Sequence, residues 1–548
     1  MILDRQEPEK EFNLLDEPWI VVRTKANIRM TWSLLDTFAH AHEAVALAGE
    51  LPTQDIAVMR LLLAIMHGAF VNDNIEDCDD AVGLWQELWE MKQFPYDMIK
   101  DYLESYRERF WLFHPTQPFY QSAHIKEKMD DYKKQKGKKV SETIKWKTVA
   151  RLVGDLFQSD NAPRLFPVRT GKNVTFLGYA EAARWLLHLN GFDDDSAKMP
   201  TPQGVGYLGQ LGLIYAEGKN LFETLMLNFV LADQRNEIFS DNREIQSAYW
   251  EKTACETVER QITQPRAQKD LLTLQSRRIL LHREEGRVTG YLLTMGDYFA
   301  KDASLLNETM TAWKHDDKKG IVPKKHRLEC QIWRDFSSLL GKTEEKKSRQ
   351  PGVIHWLRLL QQEHQNLGRL QVAVVGASYD LKGAGWQIVD YIYDHLAVNA
   401  ALLSATNDVW IQEIVSNLNL TQQAVSALGK LASHIDEAAG DTGKGSEQKR
   451  ERIAQFARED GYHHLDKEFR KWLIEIDPEV DNLSEKIEGW LIISKKTLKL
   501  LGKDMLNQCP ESAIIRRPKI DNTKQKKAIM NAIQAFQFFK FRIHNILG

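Results

Sequence analysis

Apolar positions recur at helical spacing in TQDIAVMRLLLAIMHGAF, where Ile56, Met59, Leu63 and Met66 share a face and Thr53 stands in an N-cap position. The preceding stretch, FNLLDEPWIVVRTKANIRMTW, reads as strand, turn and strand, with Leu15, Trp19, Ile20 and Val21 supplying apolar content. Further helices are expected through Trp85, Leu88 and Trp89, through DMIKDYLESYRERFWLF, and through YAEAARWLLHLNGF with a C-cap at Asn190-Gly191. NLFETLMLNFVLA is also read as helical. From about residue 270 to 390 the period shortens. LQSRRILLHREEGRVTGYLLTMGDYF predicts a hairpin turning at Glu285-Gly286, and LQVAVVGASYDLKGAGWQIVDYIYD predicts a buried strand, a glycine-rich tip and a return segment.

After about residue 392 strands are expected to stop. Two amphipathic stretches joined by GDTGKGSE, then residues 485–501 and 523–546, predict four helices with short connections, hence an antiparallel bundle. No repeat with a period of 20–50 residues is present, which argues against a solenoid. The expected fold class is α+β: a mixed amino-terminal domain with small antiparallel sheets over residues 1–390, followed by an antiparallel four-helix bundle over 391–548.

Charge narrows the function. With 73 Lys and Arg against 76 Asp and Glu the chain carries a formal −3, so nucleic-acid contact must come from local patches rather than the whole-protein field. Cys78, Cys255, Cys330 and Cys509 lie far apart with no CxxC, which supports neither a zinc ribbon nor a redox dithiol; free thiols in a reducing cytoplasm are expected. The charged start MILDRQEPEKEF lacks the apolar core of a secretory signal, and no apolar run reaches about 18 residues, so a cytoplasmic protein without a membrane span is expected. Residues 126–147 hold nine lysines against four acids. They are read as an exposed loop, either a solvated insertion or a phosphate-contacting one.

TPQGVGYLGQLG places Gly204, Gly206 and Gly209 in GxGxxG spacing, with Gly212 behind them. A dinucleotide loop must follow a buried strand and open a helix whose N-terminus meets the pyrophosphate. Here DDDSAKMPTPQ precedes it, and a helix, NLFETLML, stands where a second strand should be. Two readings stay open: a loop whose backbone approaches a partner closely, and a tight packing turn. GYHHLDKEF groups His463, His464 and Asp466 in the manner of a metal phosphohydrolase, yet adjacent helical residues point about 100° apart and do not share a ligand face. HExxH, GxSxG and GxxxxGK[ST] are absent, and Asp193, Asp194 and Asp195 are expected to face solvent. Two basic clusters remain. Lys324, Lys325, His326, Arg327 and Arg334 gather near Trp333, and Arg516, Arg517, Lys519, Lys524, Lys526 and Lys527 precede an apolar helix. A phosphodiester-tracking face and a solvated helix face explain either equally well.

Taken in order, FNLLDEPWI, HEAVALAGELPTQDIAVMRLLLAI, HPTQPFYQ, YAEAARWLLHLNGFDD, GYLGQLGLIYAEGKNLFETLMLN, TLQSRRILLHREEGRVTGY and IWRDFSSLL make the chain resemble the CasA-type large subunit of the type I-E CRISPR Cascade complex. The resemblance implies a non-catalytic subunit without cofactor or metal. It would inspect double-stranded DNA for the short motif beside the target (the PAM), help open the duplex, and support recruitment of a separate nuclease-helicase. Base pairing with the guide RNA supplies target specificity in such effectors.

The family's minor-groove glycine loop maps onto Gly204, Val205, Gly206 and Tyr207, and its wedge hairpin onto Asp380, Leu381, Lys382, Gly383 and Ala384. The family's wedge carries a glutamine at its tip, where this chain has Lys382-Gly383; Leu381 is the alternative wedge, as an inserted apolar side chain that unstacks a base step. The family's basic residue is carried to Arg334 first, with Lys324 and Lys325 behind it. A loop contacting the 5′ handle of the guide maps onto SDNAPRLFPVRTG, with Phe166 to stack on a base and Arg164 or Arg169 to hold phosphate. Expected partners are guide RNA, target DNA, other Cascade subunits and the nuclease-helicase. The alternatives are a nucleotide-dependent oxidoreductase or HD-type metal hydrolase, and a scaffold that touches only protein.

Overall fold

The computed structural model describes residues 10–71, 75–135, 145–154, 175–194, 204–239, 248–252, 261–262, 267–300, 307–341, 348–363, 367–382, 385–440, 445–515, 518–520, 526–528 and 530–548. These form two compact units. One comprises Met1–Leu328, Thr343–Glu363 and Gln371–His395; the other comprises Glu329–Lys342, His364–Leu370 and Leu396–Gly548.

The first unit mixes helices with small sheets; among the described residues their strand pairings are antiparallel except where Tyr298–Phe299 pairs in parallel with Gln261–Ile262. Its centre is the helix Pro52–Phe70, buried along most of its length because apolar residues surround it almost completely. Pro52 occupies the first turn, where a missing N–H costs nothing. Thr53 is therefore not the N-cap; Leu51 is, and the Thr53 hydroxyl instead meets the His188 ring 3.1 Å away. The strands Ile20–Thr24 and Arg29–Trp32 pair as the sequence predicts, joined by Ala44–Leu47. The hairpin Arg277–Glu284 and Arg287–Met295 turns at Glu285 and Gly286, both at positive φ (50° and 72°), which suits the twist of a two-residue turn. Leu213–Glu217 pairs antiparallel with the long strand Arg369–Lys382, and Gly385–Asn399 returns beside it. Strands thus continue past residue 392. The first half of the lysine-rich stretch is a helix, Ile125–Gln135, where Lys133 and Lys134 face Asp130 and Asp131 one turn back.

The second unit is largely helical: Asp408–Ala439, Ser446–Ile474, Leu483–Asn507 and Ala532–Leu547. Gly440 (φ 109°) and Gly445 (φ 89°) bracket the first connection in the left-handed conformation that other residues resist. The last helix starts at Ala532, later than the sequence suggests, because Asn531 and Gln534 form a reciprocal capping box. Upstream, Pro518–Ile520 pairs with Lys526–Ala528, so Lys519, Lys526 and Lys527 lie on a ribbon; Arg516, Arg517 and Lys524 fall outside the described residues.

The helices meet through an aromatic core. Trp490 is fully buried, lies 5.1 Å from Phe469 and 5.4 Å from Trp472, and donates its indole N–H to the Thr421 hydroxyl at 3.0 Å. Trp490→Ala removes that stack and the indole's hydrogen bond, while the Thr421 hydroxyl keeps its bond to the Asn417 carbonyl (2.9 Å). It is expected to lower the stability of this unit by about 3–5 kcal/mol, read as an earlier urea transition in far-ultraviolet circular dichroism.

Candidate nucleic-acid interface

The glycine loop is built on the end of the helix Tyr179–Phe192. Gly191 does not cap that helix. It stays within it, and its missing side chain admits Leu208; a Cβ there would lie 2.6 Å from Leu208 Cδ1. Asp193 and Asp194 follow, and both are buried, against the expectation that they face solvent. For Asp193 the cause is Arg277, itself wholly buried, whose Nε donates to the Asp193 carboxylate at 2.6 Å. Burial of a charge is tolerable only when an opposite charge and further hydrogen bonds replace water, and here they do. Asp195 lies outside the described residues.

The same guanidinium also donates to the Ser276 carbonyl (2.9 Å) and, from Nη2, to the Gly204 carbonyl (2.6 Å). The Gly206 amide donates to the Asp193 carbonyl at 2.8 Å, and the Tyr207 amide to the Ser276 hydroxyl at 3.3 Å. Gln210 Nε2 donates to the Val205 carbonyl at 2.9 Å. The Tyr207 hydroxyl donates to Glu308 (3.0 Å), a buried carboxylate that also takes both terminal nitrogens of buried Arg60 at 3.0 Å. The loop is therefore anchored inward through its own backbone.

Its glycines divide accordingly. A side chain on Gly206 would run into the Gly191 carbonyl, one on Gly209 into the Tyr379 hydroxyl, and one on Gly212 into the Lys324 carbonyl. These three serve packing. Gly204 differs: its φ is +61°, and among the described residues nothing lies within 4 Å of the position a Cβ would take. Val205 is buried and Tyr207 half-buried, so Gly204 is the loop residue with open space before it. After the loop comes a short 3-10 turn at Leu208–Gln210 and then the strand Leu213–Glu217. The glycines thus lead into a strand and not into a helix N-terminus, which removes the geometry a pyrophosphate needs.

The strand Arg369–Lys382 brings the predicted wedge hairpin to this loop. Tyr379 packs against Gly209 and donates its hydroxyl to the Phe192 carbonyl at 2.9 Å. Asp380, the next residue, is exposed; Leu381 and Lys382 lie in the strand, while Gly383 and Ala384 fall outside the described residues. Trp386, 44% exposed at the start of the return strand, is an aromatic that the sequence reading passed over, although it stands in the stretch GASYDLKGAGW.

The basic residues separate. Lys325 donates to the Gly209 carbonyl at 3.0 Å and lies over the Tyr379 ring at 5.6 Å; burial lowers its pKa. Lys324 is beside it, its amide donating to the Ala312 carbonyl. Arg334 belongs to the helical unit, where its guanidinium pairs with Glu459 at 2.6 Å and lies 3.7 Å from the Tyr462 ring centroid. Arg164, Phe166 and Arg169 fall outside the described residues. On the helix Ser446–Ile474, Asp466 accepts from the Trp333 indole and from Arg470, both at 2.9 Å, and His464 Nδ1 lies 2.9 Å from the Asp460 carbonyl. Among the described residues no three His, Cys, Asp or Glu side chains stand together as a metal-binding group, and no helix is long and apolar enough to cross a membrane.

Compared with known proteins, this fold is that of CRISPR-associated large subunits. It is similar to the crystal structure of Thermobifida fusca Cse1, with 29% identity, 98% of each chain covered and a TM-score of 0.82. It shares its fold with a chain of a CRISPR RNA-guided surveillance complex at 15% identity and a TM-score of 0.69, covering 98% of this chain and 100% of that one. A CasA/Cse1 protein of Thermus thermophilus is 33% identical over 226 residues, a match that spans 40% of this chain and 40% of that relative. The family model described as CRISPR-associated protein Cse1 matches residues 13–499. The chain belongs to the Cse1 family, the large subunits of type I-E Cascade.

Asp194 yields a pH prediction. Burial, then the neighbouring charge of Asp193, pushes its carboxyl up from an ordinary 3.8 to about 8. The folded protein thus holds a proton that the unfolded chain releases, so folding loses stability as pH rises between about 4 and 8. Asp194→Asn should flatten that decline. Melting temperatures at pH 5, 7 and 9 check it: the variant should gain on the wild type as pH rises, and parallel curves would contradict the assignment.

Proposed function

We propose that this chain is the PAM-reading subunit of an RNA-guided surveillance complex. It recognises the PAM in double-stranded DNA from the minor groove, helps open the duplex and supports recruitment of a separate nuclease-helicase. The domain expected over residues 1–390 reads the PAM and contacts the 5′ handle of the guide RNA, and the antiparallel four-helix bundle expected over 391–548 begins after the strand that ends at Asn399. The other Cascade subunits are its protein partners, and it works without catalysis or cofactor of its own.

The observation that carries this reading is Gly204. Its carbonyl is tied inward, its φ is positive and the space before it is open. A minor groove about 6 Å wide admits backbone without side chain, and its pattern of acceptors and donors is degenerate, so tolerance of several PAM sequences follows. The nearby hairpin supplies the wedge expected over Asp380, Leu381, Lys382, Gly383 and Ala384, of which Gly383 and Ala384 fall outside the described residues. Lys324 and Lys325, beside the loop, are basic candidates, and Arg334 is engaged with Glu459. The hydrolase alternative loses support because Asp466 is engaged by Trp333 and Arg470, and the oxidoreductase alternative because the glycines lead into a strand.

The test is equilibrium binding of the assembled guide-RNA complex to matched duplexes with and without a PAM, for the wild type and Gly204→Asn. Asparagine tolerates a left-handed backbone, so the variant adds bulk with little strain. Preference for the PAM duplex should fall by about tenfold or more, the scale of one lost base contact at about 1–3 kcal/mol. Binding to a complementary single strand should be unchanged. An undiminished PAM preference would refute the reading of this loop.

A further inference from the structure

We infer that Arg277 is a positioning residue for DNA recognition, fixing which edge of the glycine loop faces the duplex; this rests on the PAM reading of that loop. The guanidinium is wholly buried and makes three different contacts: Nε to the Asp193 carboxylate, Nη1 to the Ser276 carbonyl and Nη2 to the Gly204 carbonyl. Only a planar fork of donors holds a carboxylate and two carbonyls in set directions, which an ammonium on a flexible stem does not.

The surrounding hydrogen bonds make this an organised site. Asn190 Oδ1 accepts the Arg277 amide at 3.0 Å, and Asn190 Nδ2 donates to the Leu274 carbonyl at 2.9 Å. The Ser276 hydroxyl donates to the Asn190 carbonyl and accepts from the Tyr207 amide. Asp193 works at both ends, its carboxylate on Arg277 and its carbonyl on the Gly206 amide. Three segments distant in sequence, 190–193, 204–207 and 274–277, are thereby tied together, and Glu308 holds the far end of the loop through Tyr207.

The consequence is directional. With the Gly204 carbonyl turned inward by Arg277, the loop presents the glycine α-carbon to the open side. Recognition sites tolerate errors of roughly 0.5 Å in such placement. If the Arg277 fork is lost, the Gly204 carbonyl is free to rotate outward and the presented edge changes, although Gly204 itself is intact. Arg277 thus determines specificity without touching DNA.

The experiment uses the assembled guide-RNA complex carrying Arg277→Lys, which keeps the positive charge beside Asp193 but loses the fork. Its readout is the ratio of affinities for PAM and PAM-free duplexes, with affinity for a complementary single strand and thermal melting measured in parallel. The ratio should fall at least about fivefold while single-strand affinity stays within about twofold, since a few lost hydrogen bonds are worth that much. Ser276→Ala, which keeps the ion pair and removes the Tyr207 tie, is the milder second variant and should fall between wild type and Arg277→Lys. A purely structural role would lower single-strand and duplex binding together and leave the ratio unchanged, which overturns the inference. If Gly204→Asn abolishes PAM preference and both Arg277→Lys and Ser276→Ala retain it, the positioning role fails and the loop reading stands. If all three retain it, the loop reading itself fails.

Discussion

The Arg277–Asp193 ion pair is the interaction on which the proposed site depends. Both side chains are fully withdrawn from water, a placement that costs several kcal/mol per ion unless each lone pair and proton finds a partner. The structure meets much of that demand with the loop itself: the Gly204 carbonyl accepts from the guanidinium's Nη2, and the Asp193 carbonyl receives the Gly206 amide. Loop geometry and core electrostatics are one arrangement. Disturbing either leaves a buried charge short of partners, so the loop cannot drift without a penalty from the interior.

A second buried pair repeats the logic at the other end. Arg60 comes from the middle of the central helix and Glu308 from a segment far along the chain, yet the pair meets under Tyr207. Two ion pairs therefore bracket four residues of loop. The hairpin joins through Tyr379, whose phenol lies where a Gly209 side chain would be, and Lys325 closes the other side at the Gly209 carbonyl. The glycines at 206, 209 and 212 allow these neighbours to approach, and only Gly204 is left to serve the outside.

Much of this was legible in the sequence, and the exceptions have identifiable causes. The hairpin turning at Glu285-Gly286 was readable because both turn residues must adopt positive φ and the flanking runs are apolar and β-branched. The long helices were readable from their period. The loop's location was readable from its glycines, but not their division of labour, which depends on Gly191, Tyr379 and Lys324 arriving from elsewhere. Three aspartates in a row read as a solvated loop because nothing local announces that Arg277, 84 residues on, will neutralise the first of them. Arg334 beside Trp333 read as a basic patch for the same reason: Glu459 and Tyr462 come from a distant helix. Local pattern reports period and turns; it does not report pairing at a distance.

If the loop is held from beneath as described, its own backbone amides must be slow to exchange. Hydrogen–deuterium exchange by mass spectrometry on the intact chain, resolving peptides across residues 204–212, measures this directly. The Gly206 and Tyr207 amides are bonded to Asp193 and Ser276, so these peptides should be protected to a degree close to that of the strand Arg277–Glu284. Exchange as fast as in an unanchored surface loop would contradict the account, whatever the DNA-binding result.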